Sequence, residues 1–147
     1  MEIMDTNYAA PRRSPEAEVA EESRGGRAVA LAAFVVAVVV QVYVLYLFVP
    51  GPSTDVTVPQ ADKIVHLAVF GAPAFFAALA RLPLWGVATL LAMHAPVSEL
   101  IQHSLIAGRS GEPLDVAADL VGVGLGSLAG LAMHRYTRGT IARTADR

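Results

Sequence analysis

Three short polar patterns interrupt an otherwise apolar chain: Asp62, Lys63 and His66 in DKIVH, Glu99 and Gln102 in ELIQ, and Arg109 with Asp115 in RSGEPLD, the last followed by Asp119. Carboxylates and an imidazole are the groups that take up and release protons during catalysis, which makes Glu99, Asp115 and His66 candidate general acids or bases. Asp62, Lys63, Gln102, Arg109 and Asp119 are candidate ligand-binding residues. Arg109 would grip a phosphate or carboxylate as a bidentate fork and Lys63 as a point charge. An ionisable side chain at the centre of a bilayer costs about 2.5 to 3.5 kcal/mol and is tolerated chiefly by pairing inside a bundle. An ion-pair network tying helices together is the bland explanation, but apolar residues would pack the same helices at less cost. The polar patterns are therefore read as one functional site.

Helical spacing groups these residues. Asp62 and His66 are i and i+4, Glu99 and Gln102 are i and i+3, and Asp115 and Asp119 are i and i+4, so each pair shares a helix face. The face of Asp115 and Asp119 continues through Gly122 and Gly126, with Gly130 one step further. Small residues at every fourth position let helices approach closely in a membrane, which turns this stripe toward the neighbouring helices. Pro73 and Pro96 are expected to kink their helices. His94, near Ser98, reads as a satisfied interior histidine, and Asp55 and Glu112 as solvated loop residues.

The elements that position these residues are four apolar runs. Hydrophobic residues make up 54% of the 147 residues and charged ones only 16%, far from the composition of an average soluble domain. Residues 28–49 carry no formal charge and would span about 33 Å as a helix, enough for the hydrocarbon core. Their length and the following FVPGPSTD argue against a cleaved signal peptide. Residues 64–80, 84–106 and 114–133 are three further runs of spanning length. None has the charged stripe that a soluble bundle shows on every helix. The expected fold is an all-α integral membrane four-helix bundle (residues 28–134), between a disordered tail (1–27) and a basic tail (135–147). A contribution of the basic tail to helix four by a turn or two is compatible with its composition.

Charge gives an orientation. Of the eleven Lys and Arg residues, nine lie before the first run, between the second and third, or after the fourth. Lys63 and Arg109 alone fall in the other two loops. The positive-inside rule then puts both termini in the cytoplasm and all three polar patterns at the outer side. Net charge is -2 and gives no sign of a nucleic-acid surface. The chain has no cysteine, which excludes disulfides, thiolate metal sites and a cysteine nucleophile. Ser104 and Ser110 lack any recognisable nucleophile elbow. His66, His103, Glu99, Asp115 and Asp119 are ligand types suited to zinc or a harder divalent ion, but without an HExxH or comparable signature no metal is assigned and no cofactor is named.

The ordered set DKIVHLAVFG, ELIQ, an Arg followed by an Asp, and DLVGVGLG resembles the VanZ-like family of small bacterial membrane proteins. The likeness covers roughly residues 62–130. Asp62, Lys63 and His66 match its first motif, Glu99 and Gln102 its second, and Arg109 and Asp115 its third; Asp119 stands where the family often has Asn. The resemblance implies a multi-pass protein of the bacterial cytoplasmic membrane with a role in the cell envelope. The family takes its name from a glycopeptide-resistance cluster, whose founding member is associated with resistance to teicoplanin. Expected partners are the bilayer and an amphiphilic envelope molecule, such as a lipid-linked cell-wall precursor or a lipoglycopeptide, with an oligomer open. A non-catalytic accessory or structural protein is the alternative. A small transporter ranks third, since four helices are few for alternating access and no inverted repeat is visible.

Overall fold

The computed structural model describes residues 14–48, 61–106 and 112–145. They form four helices: α1 Pro15–Val42, continued by a π-helical turn Tyr43–Leu47, then α2 Ala61–Leu79, α3 Leu84–Leu105 and α4 Pro113–Ala145. Each contains a stretch long and apolar enough to cross a membrane: Ala20–Leu47, Ala61–Leu79, Leu84–Leu105 and Pro113–Thr137. The described residues thus form an all-helical fold, as the apolar runs imply.

Two boundaries differ from the sequence expectation. Residues 15–27, read as part of a disordered tail, are helical. Ser14 caps the helix by accepting from the Ala17 amide, and Pro15 stands at the first helical position, where its missing N–H and fixed φ suit the start. The segment PEAEVAEES is polar but rich in Ala and Glu, strong helix formers; lack of apolar periodicity hid it. Likewise α4 runs to Ala145, about three turns past Met133, so most of the basic tail continues the helix.

The helices are held by small residues. α2 and α4 run parallel and make the most extensive contact in the molecule, because the glycine stripe of α4 lies directly on α2. A Cβ at Gly122 would collide with the Leu67 backbone, one at Gly126 with the Gly71 carbonyl, and one at Gly130 with the Phe75 carbonyl oxygen at 2.6 Å. Leu67, Gly71 and Phe75 thus meet Gly122, Gly126 and Gly130 in a register that advances by four on both helices. Gly71 completes the interface, its missing Cβ lying 3.1 Å from the Gly122 oxygen. Where lipid replaces water there is little hydrophobic drive between helices, and close van der Waals approach of this kind supplies the attraction.

The core behind this interface contains Leu45, Val69, Phe70, Ala74, Leu91, Ala95 and Val123. α1 and its π-helical turn add a narrow buried stripe, Ala30, Ala37, Gln41 and Leu45. Most other large apolar side chains point outward, among them Val35, Val39, Ile64, Leu90, Val97, Leu100, Leu125 and Leu128. Such a surface is far larger than the apolar patches a soluble monomer exposes. At the opposite end from the polar patterns, Arg81 closes α2 with a left-handed φ of 57°. There the Leu82 amide reaches the Ala77 carbonyl at 3.0 Å, an arrangement that reverses the chain in few residues. The Arg27 side chain donates to the Ala80 carbonyl at 3.3 Å, fastening α1 to this turn.

Candidate functional site

The α2–α4 register builds the site. Toward the starts of both helices from Leu67 and Gly122, the same close approach brings His66 and Lys63 of α2 against Asp119 and Asp115 of α4. His66 Nδ1 lies 2.9 Å from Asp119 Oδ1. Lys63 Nζ donates to Asp115 Oδ1 at 3.1 Å. α3 adds Glu99, whose Oε1 is 3.5 Å from His66 Nδ1. His66, Glu99, Asp115 and Asp119 are all buried, Asp119 completely. Four polar side chains from three helices thus share one interior space at the same end of the bundle.

Above this floor lies a partly open layer. Lys63 also donates to Asp62 at 3.0 Å and to Glu112 at 3.2 Å, so one ammonium gathers three carboxylates from α2 and the start of α4. The Glu112 amide donates to Glu99 Oε2 at 3.1 Å. Glu112 is exposed and outside the helix, as expected of a solvated loop residue, but it is also tied into the cluster. It stands immediately before Pro113, and its carbonyl accepts from the Asp115 amide, so it is fixed by the helix start that it forms. The Pro at the first helical position is the signal that marks it.

Among the described residues, Glu99 Oε1 and Asp119 Oδ2 are buried without a hydrogen-bond partner. Buried carboxylate oxygens are nearly always paired, since an unpaired one forfeits the hydration it had in water. The floor therefore has capacity to accept two further donors.

The other sequence candidates divide. Asp62 is exposed at the rim. Gln102 is buried, but its amide donates to the Leu45 carbonyl at 3.2 Å, in the π-helical turn where the regular bonding ladder is broken. That bond ties α3 to α1 and gives Gln102 a positioning task. Lys63, expected to hold an anion, has its charge engaged by three carboxylates. Arg109 lies outside the described residues, as do Ser110 and Asp55. His103 is exposed and joins none of these contacts.

A second polar contact went unread in the sequence. Tyr46 Oη and His94 Nε2 are 2.7 Å apart, and the His94 ring also packs on Phe70 with centroids 5.5 Å apart. Ser98, one turn along α3 from His94, donates to the Ala95 carbonyl at 2.7 Å, and His94 is satisfied as expected, by Tyr46. Tyr46 sits in an apolar run whose pairing with α3 depends on the π-helical turn, which no local pattern announced. Tyr46→Phe is expected to lower stability by about 1 kcal/mol, the net worth of one hydrogen bond. It should leave the His66 cluster intact; thermal unfolding in detergent, compared with wild type, reads the difference.

No family model matches the chain, and neither a curated protein nor a solved structure does.

Proposed function

We propose that this is a multi-pass protein of the bacterial cytoplasmic membrane whose buried polar cluster binds or modifies the polar head of an amphiphilic cell-envelope molecule, in the manner implied by its resemblance to the VanZ-like family. The lipid-linked cell-wall precursors and the lipoglycopeptides of the teicoplanin type are the ligand classes, and resistance to such glycopeptides is the corresponding phenotype. The observation that carries this reading is the enclosed group of His66, Glu99, Asp115 and Asp119, with two buried carboxylate oxygens left to accept from a ligand. Head groups rich in hydroxyl and amide donors fit that capacity. Glu99, next to His66, is the acid best placed for proton transfer, and Asp115 and His66 complete the set of acid–base candidates. Nine of eleven basic residues on the side of the termini support an N-in, C-in orientation with the cluster facing outward.

The test is binding by the full chain in lipid nanodiscs of two probes: teicoplanin, and a lipid-linked disaccharide-peptide precursor. Saturable binding of either probe, weakened about tenfold or more by Glu99→Gln at unchanged abundance, is expected; a loss of that size is about 1.4 kcal/mol. Failure of both probes to bind, or equal binding by wild type and Glu99→Gln, contradicts the reading.

A second reading has its own observation in favour. Lys63 bridges α2 to α4, and the Glu112 amide joins α4 to α3, as expected if the cluster only fastens helices in an accessory protein. In that case the same substitutions lower abundance and thermal stability together with any phenotype.

A further inference from the structure

We propose that His66, Glu99 and Asp115 ligate one divalent transition-metal ion, zinc or manganese, at the floor of the cluster. This deepens the function proposed above and rests on the same reading of the cluster as a site. Each of the three residues offers a ligand atom, and the three atoms lie within 4.8 Å of one another. Two ligands about 2.1 Å from a tetrahedral ion stand roughly 3.4 Å apart. The group therefore closes onto an ion by side-chain rotation of about an ångström or less, with no movement of the helices. All three residues are buried, His66 on α2, Glu99 on α3 and Asp115 on α4, and the glycine contacts hold the register of α2 on α4.

A second feature points to a cation independently of this spacing. Glu99 Oε1 and Asp119 Oδ2 are buried without hydrogen-bond partners among the described residues, and Glu99 Oε1 lies only 3.5 Å from the His66 ring. That oxygen thus faces the imidazole without a hydrogen bond of its own and is available to a cation. The charges agree. Among the described residues, three buried acids, Glu99, Asp115 and Asp119, face His66 and a single lysine, and that lysine also serves Asp62 and Glu112. Burial of excess negative charge is costly unless something compensates it.

Asp119 fits the same scheme. Its Oδ1 lies 2.9 Å from the same ring nitrogen, His66 Nδ1, that faces Glu99, which holds the imidazole in place and adds a third buried carboxylate to the cluster. The mixed set of one imidazole and two carboxylates suits zinc or manganese better than the all-oxygen environment of magnesium or calcium. A neighbouring trio, Asp62, Glu112 and Asp115, has comparable spacing. Lys63 already donates to one oxygen of each, Asp62 Oδ2, Glu112 Oε2 and Asp115 Oδ1, so no ion is assigned there and Asp115 is shared between the lysine and the proposed site. A cation on the floor would also turn an acid-rich site into one able to receive phosphate or a polarised carbonyl, and would present water as a nucleophile.

The experiment uses the full chain, carrying a purification tag free of histidine, in nanodiscs. After removal of metal with a chelator, ZnCl2 and MnCl2 are titrated in separately, and bound metal is counted by mass spectrometry of the washed particles. One equivalent per chain is expected for at least one of the two metals, with a rise in melting temperature. Glu99→Gln and Asp115→Asn should each weaken binding about tenfold or more, whereas His103→Gln should bind as wild type. Should a variant fail to fold, the melting-temperature rise of the wild type decides alone. No stoichiometric metal, or metal held equally by wild type and the folded Glu99→Gln and Asp115→Asn variants, overturns the proposal. The probe-binding assay separates the two ideas. Probe binding by chelator-treated protein that takes up neither metal overturns the metal site and leaves the proposed function standing. Metal uptake without binding of either probe does the reverse.

Discussion

Replacing Gly126 by alanine should destabilise the protein by about 2 kcal/mol or more, although it adds only a methyl group and raises helix propensity. The added Cβ would fall on the carbonyl of Gly71, a backbone atom that no rotamer change can move away. Overpacking of a well-packed interface typically costs about 1 to 3 kcal/mol, and the higher part of that range applies where backbone meets backbone. α2 and α4 must separate to relieve the clash. Lys63 and His66 would then draw away from Asp115 and Asp119, so probe and metal binding should weaken along with stability. Gly124→Ala is the control: nothing lies within 4 Å of its Cβ position, and the change should be neutral or stabilising by up to about 1 kcal/mol. Melting curves of the two variants in the same detergent decide the matter. Equal effects at 124 and 126 would mean that the helices do not meet at the glycine stripe.

The other large effect is expected at the buried His66–Asp119 pair, and its signature is non-additivity. His66→Leu removes the partner of a carboxylate that has no exposed surface. Stranding one member of a buried charged pair costs about 3 to 5 kcal/mol. Asp119→Leu in the same background removes the stranded acid, and replacement of a buried pair by apolar residues of similar volume is often neutral or stabilising. The double variant should therefore recover most of the stability lost by the single one, with a coupling energy at the upper end of the 0.5 to 3 kcal/mol range for residues in contact. Recovered stability without recovered probe binding is the outcome that separates a functional cluster from a structural one. A double variant as unstable as the sum of its parts would show that the pair does not act as a unit.

What could be read in the sequence follows from which interactions are local. The apolar runs identified all four helices, and the start of α3 at Leu84 coincides with the expected run. The i and i+4 spacing of Asp115, Asp119, Gly122 and Gly126 assigned acids and glycines to one face, because periodicity along a helix is a local property. The start of α1 was missed for the complementary reason. Apolar patterning reports burial, whereas residues 15–27 are held by capping and propensity, and residues 20–27 lie mostly exposed. Pairwise contacts were beyond reach. That Lys63 collects three acids, that Gln102 answers the Leu45 carbonyl and that Tyr46 meets His94 depend on how helices are offset from one another. The glycine register and the π-helical turn are two features that set those offsets. Glu112 shows both limits at once: its side chain looks like an ordinary loop acid, and its role emerges from the backbone amide that it presents to Glu99.

The claim on which the functional reading turns is that the polar cluster opens to the outside of the cell. The absence of cysteine makes this directly measurable. A single cysteine is placed at Ser110, beside Arg109 and before the start of α4, or at Gly139 toward the end of α4. Intact cells are then treated with a membrane-impermeant maleimide. Labelling of Ser110→Cys, with Gly139→Cys labelled only after the membrane is opened, is the result the account predicts. Labelling of Gly139→Cys in intact cells, with Ser110→Cys protected until lysis, would place the cluster on the cytosolic side and contradict an envelope ligand.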